Sequence, residues 1–503
     1  MKKKINNFLH NYMKWRPSKL TVILILFLPI FIFEAIFPYM LNNDFWFLIN
    51  TGKYILNNSF PHIDPFTIHE GLSLVIQQWL TDVIFYLIYN KCGIYGIYVF
   101  TLIAKILISY LIYKLCMLVS ENKVKLSMFI TLAVTTFLNM YFLITTRPQT
   151  FDIIILLLEI YILEYYIKKS KTWKCLLPLP ILSLILINLH CSIWFMLFIF
   201  LIPYYIERIF YKNFPLKPLI VVTIIMFLMG FINPYGISGI TYIFNSYGNE
   251  YINSIVGEMK AININGSPEI YIYIFIIVIS YIMNRNTKEK LNLRYLFLWM
   301  GTTYLCLSHF RGFIYFAIIS ILPLSDNFKN YFKNERKFQT TKKADNIICM
   351  CVLIMLIIVQ VTNMKFFKEK DMPYNEIANY LDKVTNKNIK LYTDYNKGAY
   401  FEYRGYKCYI DPRAEVFLKK NNKKIDIMKE YYILNYKEQN YDKLEKLYEN
   451  FLQKYDFDYL IVEETEKIDY YLEKNKSYEL VYTTPMINKV EKYKLYKHIK
   501  NNN

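Results

Sequence analysis

The chain has 503 residues, a formal net charge of +19 and 55% hydrophobic residues. Runs of roughly 20 apolar residues recur from Leu20 to Met364, each long enough to span a bilayer, which excludes a soluble multidomain protein. The Lys clusters sit mostly between those runs, as in cytoplasmic loops of membrane proteins, so the charge does not point to nucleic acid.

Residues 1–19 carry six Lys and Arg and are expected inside the cell, ahead of an uncleaved anchor helix at 20–40. The chain then enters a polar loop, 41–93, with Asp44 at its mouth and Pro61-His62-Ile63-Asp64-Pro65-Phe66 in its middle. Within it, 75–90 is short, begins Gln77-Gln78-Trp79 and holds Asp82. If it crossed, the later basic loops would fall on the wrong side, so it is read as lying on the outer leaflet.

Helices are expected at 94–118, 126–145 and 150–167, with Arg147-Pro148-Gln149 at an outer turn. The apolar run 176–207 is too long for one span and breaks at Asn188-Leu189-His190, giving two short helices. A helix at 217–232 leads to Asn233-Pro234-Tyr235-Gly236 and a second external loop, 234–267. Helices at 269–283, 294–307, 312–325 and 346–364 follow, with Ser308-His309-Phe310-Arg311 at an outer turn and a Lys-rich inner segment at 329–343. That makes about eleven spans over residues 1–364. Residues 365–503 alternate short β-like runs (389–393, 408–410, 459–462, 479–482, 493–496) with amphipathic patterns such as 441–455, so they form a small extracytoplasmic α/β domain. The eight cysteines include no Cys-x-x-Cys pair and indicate neither a zinc site nor a disulfide framework.

In this topology the unusual polar residues gather on the outer face. Asp44, Asp64, Arg147, Gln149, Asn188, His190, Glu258, His309 and Arg311 all fall there. A site so placed has no access to cytosolic nucleotide sugars and needs a donor that arrives through the membrane, as a lipid-linked phosphate does. Moving a sugar from such a donor to a hydroxyl requires a base for the acceptor proton and cations for the departing phosphate. Asp44 is the candidate base, and Asp64 is either a second acid or a loop anchor. Arg147 and Arg311 suit phosphate oxygens through the two-point guanidinium fork. Gln149, Asn188, His190 and His309 complete the substrate-binding candidates.

Each has a structural alternative. An Asp just past a helix end also serves as a solvated or capping residue. Asp64 sits in a turn sequence, Asn188 and His190 can satisfy backbone groups at a helix break, and arginines snorkel to lipid headgroups. Asp411-Pro412-Arg413 in the tail is read as a structural turn. Acids and histidines in the first loop are of the type that holds a divalent cation, but no spacing is diagnostic, so no cofactor is assigned.

Asp44-Phe45-Trp46-Phe47 with Gly52, then Pro61-x-x-Asp64-Pro65-Phe66, Gln78-Trp79-Leu80, Arg147-Pro148-Gln149, Asn188-x-His190 and Asn233-Pro234-Tyr235-Gly236, resemble the GT-C superfamily. These are integral membrane glycosyltransferases that use polyprenyl-phosphate-linked sugars. The match is to a bacterial group that ends in a small external domain with motifs like Gly398-Ala399-Tyr400 and Asp411-Pro412-Arg413. The resemblance implies an inverting transfer from a lipid-linked sugar donor to a cell-surface glycan, lipid or protein acceptor, with Asp44 as the base. Leu48 and Cys191 stand where that group commonly has His and Gly. Two rivals remain, a transporter or flippase of lipid-linked glycans and a non-catalytic scaffold that presents the tail. The transferase reading expects Asp44, Arg147 and His190 to line one outward cavity with a lateral opening to lipid.

Overall fold

A computed structural model describes residues 17–332 apart from 38, 40, 142, 247 and 286–289, scattered positions within 347–358, residue 372, and 374–485 and 492–500. The basic N-terminus, most of the 329–343 segment and most of the helix expected at 346–364 lie outside the described residues.

The first part is a helical bundle. Its main helices are α1 (Lys19–Ile36), α2 (Asp44–Asn57), α3 (Trp79–Val119), α4 (Val124–Met140), α5 (Gln149–Tyr165), α6 (Pro178–Leu189), α7 (Phe195–Tyr211), α8 (Leu216–Met229), α9 (Pro268–Asn284), α10 (Leu293–Ser308) and α11 (Phe313–Phe328). Three stretches are long and apolar enough to cross a membrane, namely Lys19–Ile36, Trp79–Val119 and Cys191–Tyr211. Four more, including α4, α8 and α9, are apolar but shorter, so the described helices do not by themselves make up the expected eleven crossings. At 1.5 Å per residue a 17-residue helix reaches only about 26 Å, against roughly 30 Å of hydrocarbon.

Two local features depart from the sequence reading. The loop 41–93 contains α2, whose run Phe45-Trp46-Phe47-Leu48-Ile49 is wholly buried. Five consecutive apolar residues carry no helical period, so the helix was not legible. The segment 75–90 becomes the first arm of α3, separated from the second by a bend at Gly93, whose φ of 59° and ψ of −154° interrupt the helix. A residue without a Cβ takes that conformation at little cost.

Far along α5 from Gln149, Glu164 receives the Arg294 guanidinium at 2.8 Å, and Arg294 also pairs with Glu207 of α7. This buried network joins α5, α7 and α10 at one end of the bundle.

The C-terminal unit has a five-stranded mixed sheet in the order β2-β1-β3-β5-β4, with β1 Lys390–Tyr392, β2 Lys407–Cys408, β3 Tyr459–Glu463, β4 Tyr478–Thr483 and β5 Tyr493–His498. Helices α12 (Asn375–Val384), α13 (Gly398–Tyr403), α14 (Tyr441–Tyr455) and α15 (Lys467–Lys474) pack around it. The five strands fall where the alternating pattern placed them, and α14 spans the expected 441–455.

This unit shares its core with the first loop. Trp46 of α2 meets Tyr400 and Tyr403 edge-on or tilted, with ring centroids 5.1 and 5.0 Å apart. Leu72, Leu74 and Ile76 are buried in one cluster with Tyr409, Phe417 and Leu460. Ile68 N–H donates to the Cys408 carbonyl at 3.0 Å, which extends the edge strand β2 with loop backbone. Cys408 is accordingly buried, whereas Cys92 is exposed.

A candidate active site between the bundle and the C-terminal unit

Asp44 opens α2, in the first turn, where a helix favours a negative charge. Its amide N–H is held by Asn42 Oδ1 at 3.2 Å. Arg147 sits just before α5, with its amide donating to Thr145 O at 2.8 Å and Pro148 setting the helix start. The Arg147 Nε lies 2.9 Å from Asp44 Oδ2, and its Nη2 donates to Asn42 Oδ1 at 3.1 Å. Its Nη1 pairs with Glu258, which comes from the loop between α8 and α9. One guanidinium therefore joins carboxylates of two loops.

These groups line a cavity of about 300 Å³ with Gln77, Gln78, Gln149, His190 and Arg311, and with Tyr395, Asn396, Pro412, Ala414 and Glu415 of the C-terminal unit. A smaller recess lined by Arg147, Gln149, Glu258 and Arg311 adjoins it, walled by Tyr141, Leu143, Phe310 and Ile314. His190 ends α6 in a non-helical conformation, φ −162° and ψ 83°, so the helix break turns its ring toward α5. There Nδ1 lies 2.7 Å from Asp152 Oδ2, which fixes the ring.

Burial pushes the Asp44 carboxyl above its ordinary value; Arg147 pulls it down and Glu258 pushes it up again. Burial also works to raise Glu258, but Arg147 and Arg311 hold it below the usual carboxylate range. The cavity thus contains one carboxylate tuned toward accepting a proton and one kept ionised. Several polar atoms in its wall are buried with no partner among the described residues: Arg311 Nε, Gln78 Oε1 and Gln149 Oε1. An unsatisfied guanidinium N–H suits an anion, and unsatisfied amide oxygens suit hydroxyls.

Of the eight candidate residues the structure brings Asp44, Arg147, Gln149, His190 and Arg311 around one cavity. It does not bring in the other three. Asp64 is buried away from the cavity, accepting from Thr67 Oγ1 at 2.7 Å and from Arg413 Nη1 at 2.7 Å. It anchors the first loop to the C-terminal unit. Asn188 is committed to structure, receiving Trp79 Nε1 at 2.9 Å and donating to Leu184 O and Ile232 O. His309 caps α10 and is not among the lining residues.

Four contributors were given no site role by sequence reasoning. Glu258 was visible only as an acid in the second loop, and its pairing with Arg147 depends on the fold. Asp152 had the signal of a first-turn acid just after Arg147-Pro148-Gln149. Tyr395 and Glu415 come from segments that read as turns.

No group of three or more His, Cys, Asp and Glu side chains that could hold a metal ion occurs among the described residues. The position between Asp44 and Glu258 that a cation would take is occupied by the Arg147 guanidinium, so the residues as arranged do not form such a site.

A helical bundle with a polar cavity beneath a small α/β unit has a counterpart of similar fold among solved structures. The solved structure in which this appears is an oligosaccharyltransferase of Archaeoglobus fulgidus tethered with an acceptor peptide containing the NVT sequon. It is 11% identical, with a TM-score of 0.56 over 88% of this chain and 69% of that one. The same archaeal protein, AglB, in complex with an inhibitory peptide and a dolichol-phosphate, gives 10% identity and a TM-score of 0.43 over 87% and 69%. Its apo form gives 11% and 0.44 over 88% and 69%. No family model and no curated protein matches the sequence.

Proposed function

We propose that this chain is an integral membrane glycosyltransferase that moves a sugar or glycan from a polyprenyl-phosphate-linked donor to a cell-surface glycan, lipid or protein acceptor. The observation that carries this reading is the joint placement of Asp44, Arg147, His190 and Arg311, from four distant segments, around one cavity. The similarity in fold to an oligosaccharyltransferase supports the same chemistry. We place the cavity and the C-terminal unit on the non-cytosolic face and the N-terminus inside, from the distribution of Lys and Arg.

In the reaction, the acceptor nucleophile attacks the anomeric carbon as its proton passes to Asp44. The bond from that carbon to the phosphate oxygen breaks, and the electron pair leaves with the phosphate. Arg311, with an unpaired N–H in the cavity, receives the phosphate charge, and Arg147 positions Asp44. Glu258 holds the other arm of Arg147, so the guanidinium does not pair with Asp44 alone. His190, fixed by Asp152, offers its remaining ring nitrogen to the cavity wall.

Asp44→Asn keeps the shape and removes the base. A positioned base contributes roughly 10²–10⁴-fold, so glycan transfer in membranes should fall by at least about 100-fold while the protein still inserts and accumulates. Full transfer by Asp44→Asn would end the assignment of Asp44 as the base. A transport path would use charges within the bundle. The mid-helix charge on Lys105 is instead paired with Glu34, which favours the transferase.

A further inference from the structure

Beside the Asp44 cavity lies a second and larger one, of about 470 Å³, within the size range of about 300–1,000 Å³ usual for small-ligand sites. Three segments contribute to both. The first loop gives Ser73, Leu74 and Val75 to this cavity and Gln77 and Gln78 to the other. The second loop gives Pro234–Asn245 here and Ile252–Met259 there, and the C-terminal unit gives Val416–Lys423 here and Ala414 and Glu415 there. In the chain only Ile76 separates the two contributions of the first loop, and Glu415 and Val416, one in each lining, are neighbours.

The lining has a definite chemistry. It offers hydroxyls, amides and the Tyr235 ring, which is held edge-on by His62 at 5.4 Å and by its hydroxyl donating to Pro61 O at 3.1 Å. It carries the ammonium groups of Lys420 and Lys423 and no carboxylate among its described lining residues. Lys420 is committed to Phe244 O at 2.9 Å. The Ser73 and Ser238 hydroxyls, the Asn245 amide and the Lys423 ammonium make no side-chain hydrogen bond or ion pair among the described residues. Dense hydroxyl and amide donors around a fixed aromatic ring suit a polyhydroxylated ligand, and an excess of positive charge selects an anionic one.

We propose that this cavity is a subsite for a carbohydrate bearing carboxylate or phosphate groups, beyond the reacting unit. The assignment of a subsite rests on the transferase reading, whereas binding itself does not. The ligand is either the outer part of the donor glycan or an acceptor glycan.

The test uses the full chain in lipid nanodiscs and two probes with one backbone, oligogalacturonate and its neutral methyl ester. The acidic probe should bind at least tenfold tighter than the ester. Lys423→Glu should weaken it tenfold or more, Lys423→Arg should restore it, and Asp44→Asn should leave it within twofold. Equal binding of the two probes, no binding of either, or indifference to Lys423→Glu would overturn the proposal. In transfer assays with acidic substrates, Lys423→Glu should raise the KM for donor if the donor glycan fills the cavity, or for acceptor if the acceptor does. If neither KM moves, the subsite role is wrong. Failure of the transferase reading shows separately, as full activity in Asp44→Asn, and leaves the probe result standing.

Discussion

Arg147 is the residue on which the cavity's electrostatics turn. It pairs with Asp44 and Glu258 at once, and the two acids are driven in opposite directions, Asp44 up by burial and Glu258 down by its cationic neighbours. A base works when ionised, so activity rises as pH passes upward through the Asp44 pKa. The acid limb of kcat/KM should therefore lie above the ordinary carboxylate value of about 4. Glu258→Gln removes the negative neighbour that lifts Asp44, so that limb should move to lower pH. Rate profiles of the two proteins would show this, and a limb that stays put or moves upward belongs to another group. The placement of single residues was legible in part. Asp44, Arg147, His190 and Arg311 stood out as polar groups at the ends of apolar runs, where burial without function is costly. Asp64 stood out equally, yet it is a loop anchor, because a turn acid looks the same in sequence whether its partner is a substrate or Arg413.

Among the elements, the junction of α2 and α3 sets where Asp44 points. Gly52 lies against the backbone of Asp82, so close that an added Cβ would meet the Asp82 carbonyl oxygen at 2.2 Å. Backbone does not yield as a side chain does. Gly52→Ala should destabilise the protein by about 2 kcal/mol or more, from overpacking. Gly301 in α10 has open space around it, so Gly301→Ala should be neutral or stabilising by up to about 1 kcal/mol. Thermal unfolding in detergent would compare them, and similar losses at both sites would contradict the close approach. The strands of the C-terminal unit were legible as short runs rich in aromatic and β-branched residues, although burial along the central ones is continuous rather than alternating. Helix α2 was not, because Phe45–Ile49 are all buried between α3 and the tail, and a run with no polar face shows no helical period.

The whole molecule is held together by a buried charge cluster. Arg413 donates to Asp411, to Asp64 at 2.7 Å, and lies over the Phe66 ring at 5.0 Å, with Glu402 3.8 Å away. Burial, and then the neighbouring Asp411, lift the Glu402 carboxyl well above its ordinary value, which favours its neutral form beside Asp64 and Asp411, the two acids on the one guanidinium. Arg413→Met would leave buried acids unpaired and should cost about 3–5 kcal/mol. Glu402→Gln copies the neutral form. A raised folded-state pKa favours the folded protein at low pH and is lost as pH rises, so Glu402→Gln should gain in relative stability toward alkaline pH. Melting curves across pH would check both, and an Arg413→Met protein as stable as its parent would show that the cluster does not bind the two parts.

The partner of Asp64 stands 349 residues later in the chain. Translation proceeds from the N-terminus, so Asp44 and Arg147 are made long before Tyr395, Pro412 and Glu415, which complete the cavity wall. A nascent or prematurely terminated chain thus has its acid and its guanidinium open to water, with Asp64 unclasped. The cavity is completed last, when the C-terminal unit folds back over the first loop.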